Sequence, residues 1–183
     1  MKVFGIIVLI LAVLIGGFLF YEGVFNPVKV TEAAMGDYWV VYEGNIGPYE
    51  QVGPVMEKIY QNLKKDGIDT TIGFGIYYDN PKNVERSKLR SEVGAVLDEK
   101  DYGKINDLKS KYNVKEIKKR KSLVAKFPIK NTLSFMVGPI KVYPAMEQYC
   151  KDNKIEIDKV KDSYGLELYD MKNKETTFIM PVE

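Results

Sequence analysis

The stretch of this 183-residue chain with the most chemical content is Leu166-Glu167-Leu168-Tyr169-Asp170. In a strand, period-two alternation puts Leu166 and Leu168 on one face and Glu167 with Tyr169 on the other. A carboxylate among aromatic rings can pair with a bound cation, and desolvation raises its pKa towards general acid–base use. The residues alone leave open whether Glu167 sits in such a site or on a solvated strand face. Aromatic side chains are plentiful, with 13 Tyr, 8 Phe and 1 Trp, and many fall on segments that read as strands. Trp39, Tyr77 and Tyr169 are the candidate walls of a pocket, suited to planar or cationic molecules through stacking and cation–π contact. Each would serve equally well as a core residue or cross-strand partner.

What is missing narrows the chemistry further. There is no histidine, and Cys150 is the single cysteine. Ser-His-Asp and Cys-His nucleophiles, H-E-x-x-H zinc sites, zinc knuckles, CxxC redox pairs and intrachain disulfides are therefore excluded. No catalytic residue, metal ligand set or cofactor is assigned. Carboxylate or tyrosine chemistry remains, or binding without chemistry. Cys150 falls on the apolar stripe of a helix and reads as packing. The formal net charge of +2 gives no reason to expect a nucleic-acid partner. The run Lys118-Lys119-Arg120-Lys121 reads as a solvated turn before a strand.

The elements that must hold these residues are legible from periodicity. Tyr38–Gly44 alternates and is rich in β-formers. Gly53-Pro54 opens a helix in which Val55, Met56, Ile59, Tyr60 and Leu63 form one apolar face, closed by Asp66-Gly67. Thr71–Tyr78 and Leu89–Leu97 are strands, separated by the turn signal Asp79-Asn80-Pro81. Ile105, Leu108 and Tyr112 mark a short connecting helix. The order then recurs: a strand at Ser122–Pro128, a helix with Val142, Ala145, Met146, Tyr149 and Cys150 on its apolar face, and strands at Gly165–Met171 and Thr176–Val182. Both halves read β-α-β-β. The expected class is α+β, with two such repeats related by a pseudo-two-fold axis and antiparallel sheets carrying one helix per repeat.

Ahead of these repeats lies an uncharged run, Val3 to Phe20, of 18 residues, or about 27 Å of helix at ~1.5 Å per residue. It matches the roughly 30 Å hydrocarbon core of a bilayer, with Tyr21 at the edge as an interfacial anchor. A signal peptide is the rival reading, but its apolar region is normally shorter, and Gly17-Phe18-Leu19-Phe20-Tyr21 offers no small-residue cleavage pattern. The expectation is a single-pass anchor and linker over residues 1–27, in contact with the lipid bilayer, followed by one domain over 28–183. Lys2 ahead of the helix leans towards an extracytoplasmic domain by the positive-inside rule. Ala12 and Gly16 form a small-xxx-small pair compatible with a homodimer.

Several strings together carry a family resemblance. Asn45-Ile46-Gly47-Pro48-Tyr49, then Ile76-Tyr77-Tyr78-Asp79-Asn80-Pro81 with Leu89-Arg90-Ser91-Glu92-Val93-Gly94, resembles the GyrI-like family, also called the AraC effector-binding domain. Leu166-Glu167-Leu168-Tyr169 is similar to that family's apolar-Glu-x-Tyr strand, and Met180-Pro181-Val182 to its final strand. The resemblance covers roughly Val28 to Glu183. It implies a tandem β-α-β-β fold whose halves meet around a pocket for flat, cationic or aromatic small molecules, with the ligand-contacting glutamate at Glu167. The expected function is a membrane-anchored module that binds small planar or cationic ligands through Glu167, Tyr169, Trp39 and Tyr77. The alternatives are a hydrolase of strained or electrophilic compounds, using Glu167 and a pocket tyrosine, and a non-catalytic protein-interaction adaptor.

Overall fold

The computed structural model describes residues 2–157, 160 and 164–183. Its helices are α1 (Lys2–Tyr21), α2 (Gly53–Lys65), α3 (Ile105–Lys109) and α4 (Ser134–Asp152). The strands are β1 (Val30–Met35), β2 (Tyr38–Ile46), β3 (Ile72–Tyr77), β4 (Arg90–Val96), β5 (Asn113–Ile117), β6 (Arg120–Pro128), β7 (Gly165–Asp170) and β8 (Glu175–Pro181).

The fold is α+β, but the separate sheets expected for the two halves are one sheet. It has 8 strands in the order β1-β6-β8-β7-β3-β4-β2-β5, all pairings antiparallel. The halves fuse because β3 and β7, the inner strand of each, pair with one another from Ile72↔Asp170 to Tyr77↔Gly165. Read outwards from that seam, the order is β3-β4-β2-β5 on one side and β7-β8-β6-β1 on the other. The runs β2-α2-β3-β4 and β6-α4-β7-β8 thus occupy matching places. The outer strands β1 and β5 are additions to the sequence reading. Both lie at sheet edges, where charged residues such as Glu32, Lys115 and Glu116 replace a clean apolar alternation.

Chain connectivity forces the sheet to curl. Only Lys118 and Lys119 join β5, at one edge, to β6, next to the other edge. A flat sheet would put those strands about 29 Å apart at ~4.8 Å per strand, whereas so short a link reaches roughly 10 Å. The link from β1 to β2 is equally short and crosses at the same corner. There Asp37 accepts the Lys119 N–H at 3.1 Å, and Gly36, at φ 144°, faces Lys119 so closely that a Cβ would stand 2.3 Å from its Cα. The result is a half-barrel.

Its inner face packs Val40, Phe74, Ile76, Val96, Ile117, Leu166, Leu168 and Ile179. The outer face carries the long helices. Ile59 and Leu63 of α2 bury against Val41, Ala95 and Leu97, and Val142, Met146 and Cys150 of α4 bury against Leu123, Phe127 and Phe178. Both apolar stripes are those that helical periodicity predicts, and each large side chain so buried is worth about 1.5–3 kcal/mol. The seam of β3 and β7 lies between the strands that carry the two helices.

Helix α1 stands apart. Its span Phe4–Tyr21 is long and apolar enough to cross a membrane, and none of it is buried in the rest of the protein. Length, composition and position suit a membrane anchor or a signal sequence alike.

Candidate functional site

Glu167 lies on the β3–β7 seam and is only 4% exposed. As alternation requires, Leu166 and Leu168 face the barrel interior, while Glu167 and Tyr169 face the helices. Tyr143 of α4 donates its hydroxyl to Glu167 Oε1 at 2.8 Å, and Tyr169 donates to Oε2 at 2.9 Å. The hydroxyls of Tyr77 and Tyr169 are 2.7 Å apart. Tyr49, just ahead of α2, packs edge-on to Tyr77 with ring centroids 4.7 Å apart, and Phe135 of α4 does the same to Tyr169 at 5.7 Å. The carboxylate is thus enclosed by aromatic rings from both halves of the fold.

Two glycines make room for this cluster. Gly75 is the cross-strand partner of Glu167, and a Cβ there would lie 2.7 Å from the Tyr77 hydroxyl. Gly165 pairs with Tyr77, and a Cβ there would lie 2.4 Å from the Tyr143 hydroxyl. A bulkier residue at either position would push a tyrosine off its partner. The Asp79-Asn80-Pro81 turn helps to seat Tyr49. The Tyr49 hydroxyl donates to the Asp79 carbonyl and accepts the Asp79 N–H, both at 3.0 Å, while the Asp79 carboxylate takes a forked pair of bonds from Arg90.

The electrostatics of Glu167 are unusual. Burial raises its pKa from 4.5 to about 7, partly offset by the hydrogen bonds from Tyr143 and Tyr169. Among the described residues no lysine or arginine forms an ion pair with it. Burial and the nearby carboxylate hold the hydroxyls of Tyr77, Tyr143 and Tyr169 well above the ordinary tyrosine range, so they remain donors. Glu92 provides the contrast. It is also a strand glutamate beside a tyrosine, accepting from the Tyr78 hydroxyl at 2.6 Å, but Lys115 neutralises it.

The cluster is closed, since both carboxylate oxygens are occupied. Two surface hollows, of about 160 and 310 Å³, open elsewhere, around Asp66 and Lys104 and around Tyr42 and Tyr112. One feature lowers the cost of opening at Glu167. Pro139 and Pro144 both lie inside α4, so the turn carrying Tyr143 lacks the N–H groups that would bond the carbonyls of Phe135 and Ile140.

Of the residues singled out by sequence, Glu167, Tyr169 and Tyr77 come together and Trp39 does not. Trp39 shares the helix-bearing face, but β2 is three strands from β7, or about 14 Å. It packs against the α2 and α3 core, with the Lys109 ammonium 5.0 Å above its ring. Sequence reasoning passed over Tyr143 and Phe135 as site residues. Tyr143 sits beside the Val142 stripe, on the flank of the helix, and no local signal shows that this flank meets a strand 24 residues on.

A curled antiparallel sheet with two helices flanking a central seam, closing on a buried carboxylate among tyrosines, defines a class of α+β domain. Residues 39–177 match the GyrI-like small molecule binding domain, and the chain belongs to that family. Human testis-expressed protein 264 is 26% identical over 159 residues, covering 82% of this chain and 49% of that protein. The chain therefore spans about half the length of this curated relative. The structure of SAV2435 bound to tetraphenylphosphonium shares the fold, with a TM-score of 0.52, 14% identity, and coverage of 85% of this chain and 93% of that one. So does a hydrolase from Listeria innocua, with a TM-score of 0.51, 12% identity, and coverage of 91% and 98%.

Proposed function

We propose that this protein binds small planar or cationic molecules at Glu167, in a pocket walled by Tyr77, Tyr143, Tyr169 and Phe135, while α1 anchors it in a membrane. The observation that carries the reading is the buried Glu167 carboxylate with no positive partner among the described residues. Such a group destabilises the fold unless it is protonated or given a cation, so it is poised for a ligand that brings the charge. Binding requires Tyr143 to leave Oε1, and the two prolines flanking it in α4 lower that cost. Aromatic edges and faces then receive a planar or lipophilic body. Tetraphenylphosphonium, the molecule bound to SAV2435, is a suitable probe.

Titrating tetraphenylphosphonium into the full chain in detergent micelles tests this. Glu167→Gln keeps the shape and removes the charge, so cation affinity should fall by about 1.5–3 kcal/mol, roughly 10- to 150-fold. A neutral aromatic of similar size should bind both proteins alike. In the wild type, cation affinity should fall about tenfold per pH unit below about pH 7, because protonation discharges the site. Equal cation binding by wild type and variant would remove the basis of the proposal.

Hydrolysis of an electrophilic small molecule is the second reading. It is favoured by a carboxyl whose pKa lies near neutrality, where a general acid–base works best. Turnover of such a substrate by the wild type, lost in Glu167→Gln, is its signature. The anchor is tested by carbonate extraction: the full chain should stay with the membrane pellet, and its release would exclude a span. Protease confined to the extracytoplasmic side of sealed vesicles should reach the domain if Lys2 sets the orientation.

A further inference from the structure

We propose that the N-terminal half of α4 lies against the phospholipid bilayer, seating the domain on the membrane through Phe25, Leu133, Met136 and Ile140. The proposal rests on reading α1 as a bilayer span.

Its first support is the joint between α1 and α4. The Lys130 ammonium donates to the Tyr21 carbonyl and sits 4.9 Å from the Tyr21 ring centroid. The Asn131 amide donates to Glu22 Oε1 at 2.5 Å, and Glu22 is only 1% exposed. The Lys141 ammonium donates to the carbonyls of Gly23, at 2.6 Å, and Asn26. Residues 21–26, where the expected anchor passes into its linker, are thus fastened at several points to the start of α4. With α1 spanning a bilayer, its apolar window ends at Tyr21, which sets Tyr21 and Lys130 at the level where aromatic and basic residues collect.

The second support is what surrounds that joint. Phe25 is 65% exposed, Leu133 43%, Met136 58% and Ile140 71%. Leu133 stands two residues from Asn131, Ile140 is next to Lys141, and Phe25 lies between Gly23 and Asn26. Positions 133, 136 and 140 fall on one helix face by their spacing. The same face becomes polar away from the joint, at the exposed Glu147 and Lys151, the former about 10 Å beyond Ile140 at ~1.5 Å per residue. An apolar patch confined to the turns nearest the end of a membrane helix, and charged beyond, matches the polarity gradient of a bilayer interface. Water or a second copy of the chain would not require that gradient to follow distance from α1.

Site-directed spin labelling of the full chain tests the proposal, in vesicles of equal parts phosphatidylcholine and phosphatidylglycerol. In a Cys150→Ala background, single cysteines replace Leu14, Met136, Ile140 and Glu147, and each nitroxide is read for collision with oxygen and with a water-soluble nickel chelate. Labels at 136 and 140 should favour oxygen, as at 14, while the label at 147 favours nickel. If 14 favours oxygen but 136 and 140 favour nickel, the anchor stands and the docked face is refuted. If 14 itself favours nickel, the anchor reading fails and takes the proposal with it. Labels at 136 and 140 shielded from both reagents, with dipolar broadening, would assign the patch to a second copy and overturn the lipid assignment. Ile140→Trp in a Trp39→Phe background, read by quenching with brominated lipid, repeats the test with Cys150 intact. Quenching is expected, and its absence refutes the docking.

Discussion

Replacing Glu167 by glutamine should remove a pH dependence of stability that runs opposite to that of most carboxylates. The folded-state pKa is about 7 against an ordinary 4.5, and burial is the main cause. Between those values the folded protein holds a proton that the unfolded chain releases. The stabilising contribution of Glu167 is therefore fully present below the unfolded pKa and is lost as pH rises through the folded one. At about 1.4 kcal/mol per pKa unit, the rise corresponds to about 3 kcal/mol. Urea unfolding of the full chain in micelles measures this, followed by the fluorescence of Trp39, which packs in the α2 and α3 core. Melts of both proteins between about pH 5 and about pH 9 give the difference between wild type and Glu167→Gln, in which every other titrating group cancels. That difference should move in favour of the variant by about 3 kcal/mol across the range, most of it between pH 5 and pH 8. A difference independent of pH would mean that Glu167 titrates alike in both states, and the account of its burial would be refuted.

Tyr143→Phe withdraws the donor at Oε1 from a buried carboxylate, so it should cost about 1–3 kcal/mol where Glu167 is charged and less where it is protonated. Urea melts at two pH values check this, and an equal cost at both would contradict it. Gly165→Ala should displace Tyr143 and destabilise by about 1–3 kcal/mol. Gly103→Ala, where a Cβ meets nothing within 4 Å, should stay within about 0.5 kcal/mol of wild type in the same urea melts. Because binding requires Tyr143 to leave Oε1, titration should show Gly165→Ala binding tetraphenylphosphonium no more weakly than wild type, and Gly103→Ala matching wild type.

Local periodicity accounted for much of this architecture. The five-residue face of α2, the stripe through Val142, Met146 and Cys150, and the alternation that turns Glu167 and Tyr169 the same way are all properties of neighbouring residues. The fusion of two sheets into one was not legible, because the β3–β7 pairing joins segments about a hundred residues apart, and nothing local in either strand names its partner. The same limit applies inside the site. Tyr143 meets Glu167 and Tyr77 meets Tyr169 only because α4 and the seam are placed by the whole fold. Trp39 shows the converse: an aromatic residue on a strand carries no mark of how many strands separate it from a carboxylate. The resemblance to known domains supplied the importance of Glu167, and the burial that gives it its chemistry became visible only in three dimensions.

The strand order also sets a timetable for synthesis. Strand β1 follows α1 almost at once, yet its sole neighbour in the sheet is β6, and Val30 must wait for Ala125, 95 residues further along. At about 5–20 residues per second, that is roughly 5–19 s during which a strand competent to pair stands beside an apolar helix with no native partner. Glu32, in the middle of Val30–Met35, suits that interval, since a charge in a short strand discourages pairing with the wrong edge. Once β6 arrives, the same carboxylate closes on Lys121 at 3.0 Å, so the residue that keeps the strand unattached early is taken up when the half-barrel closes.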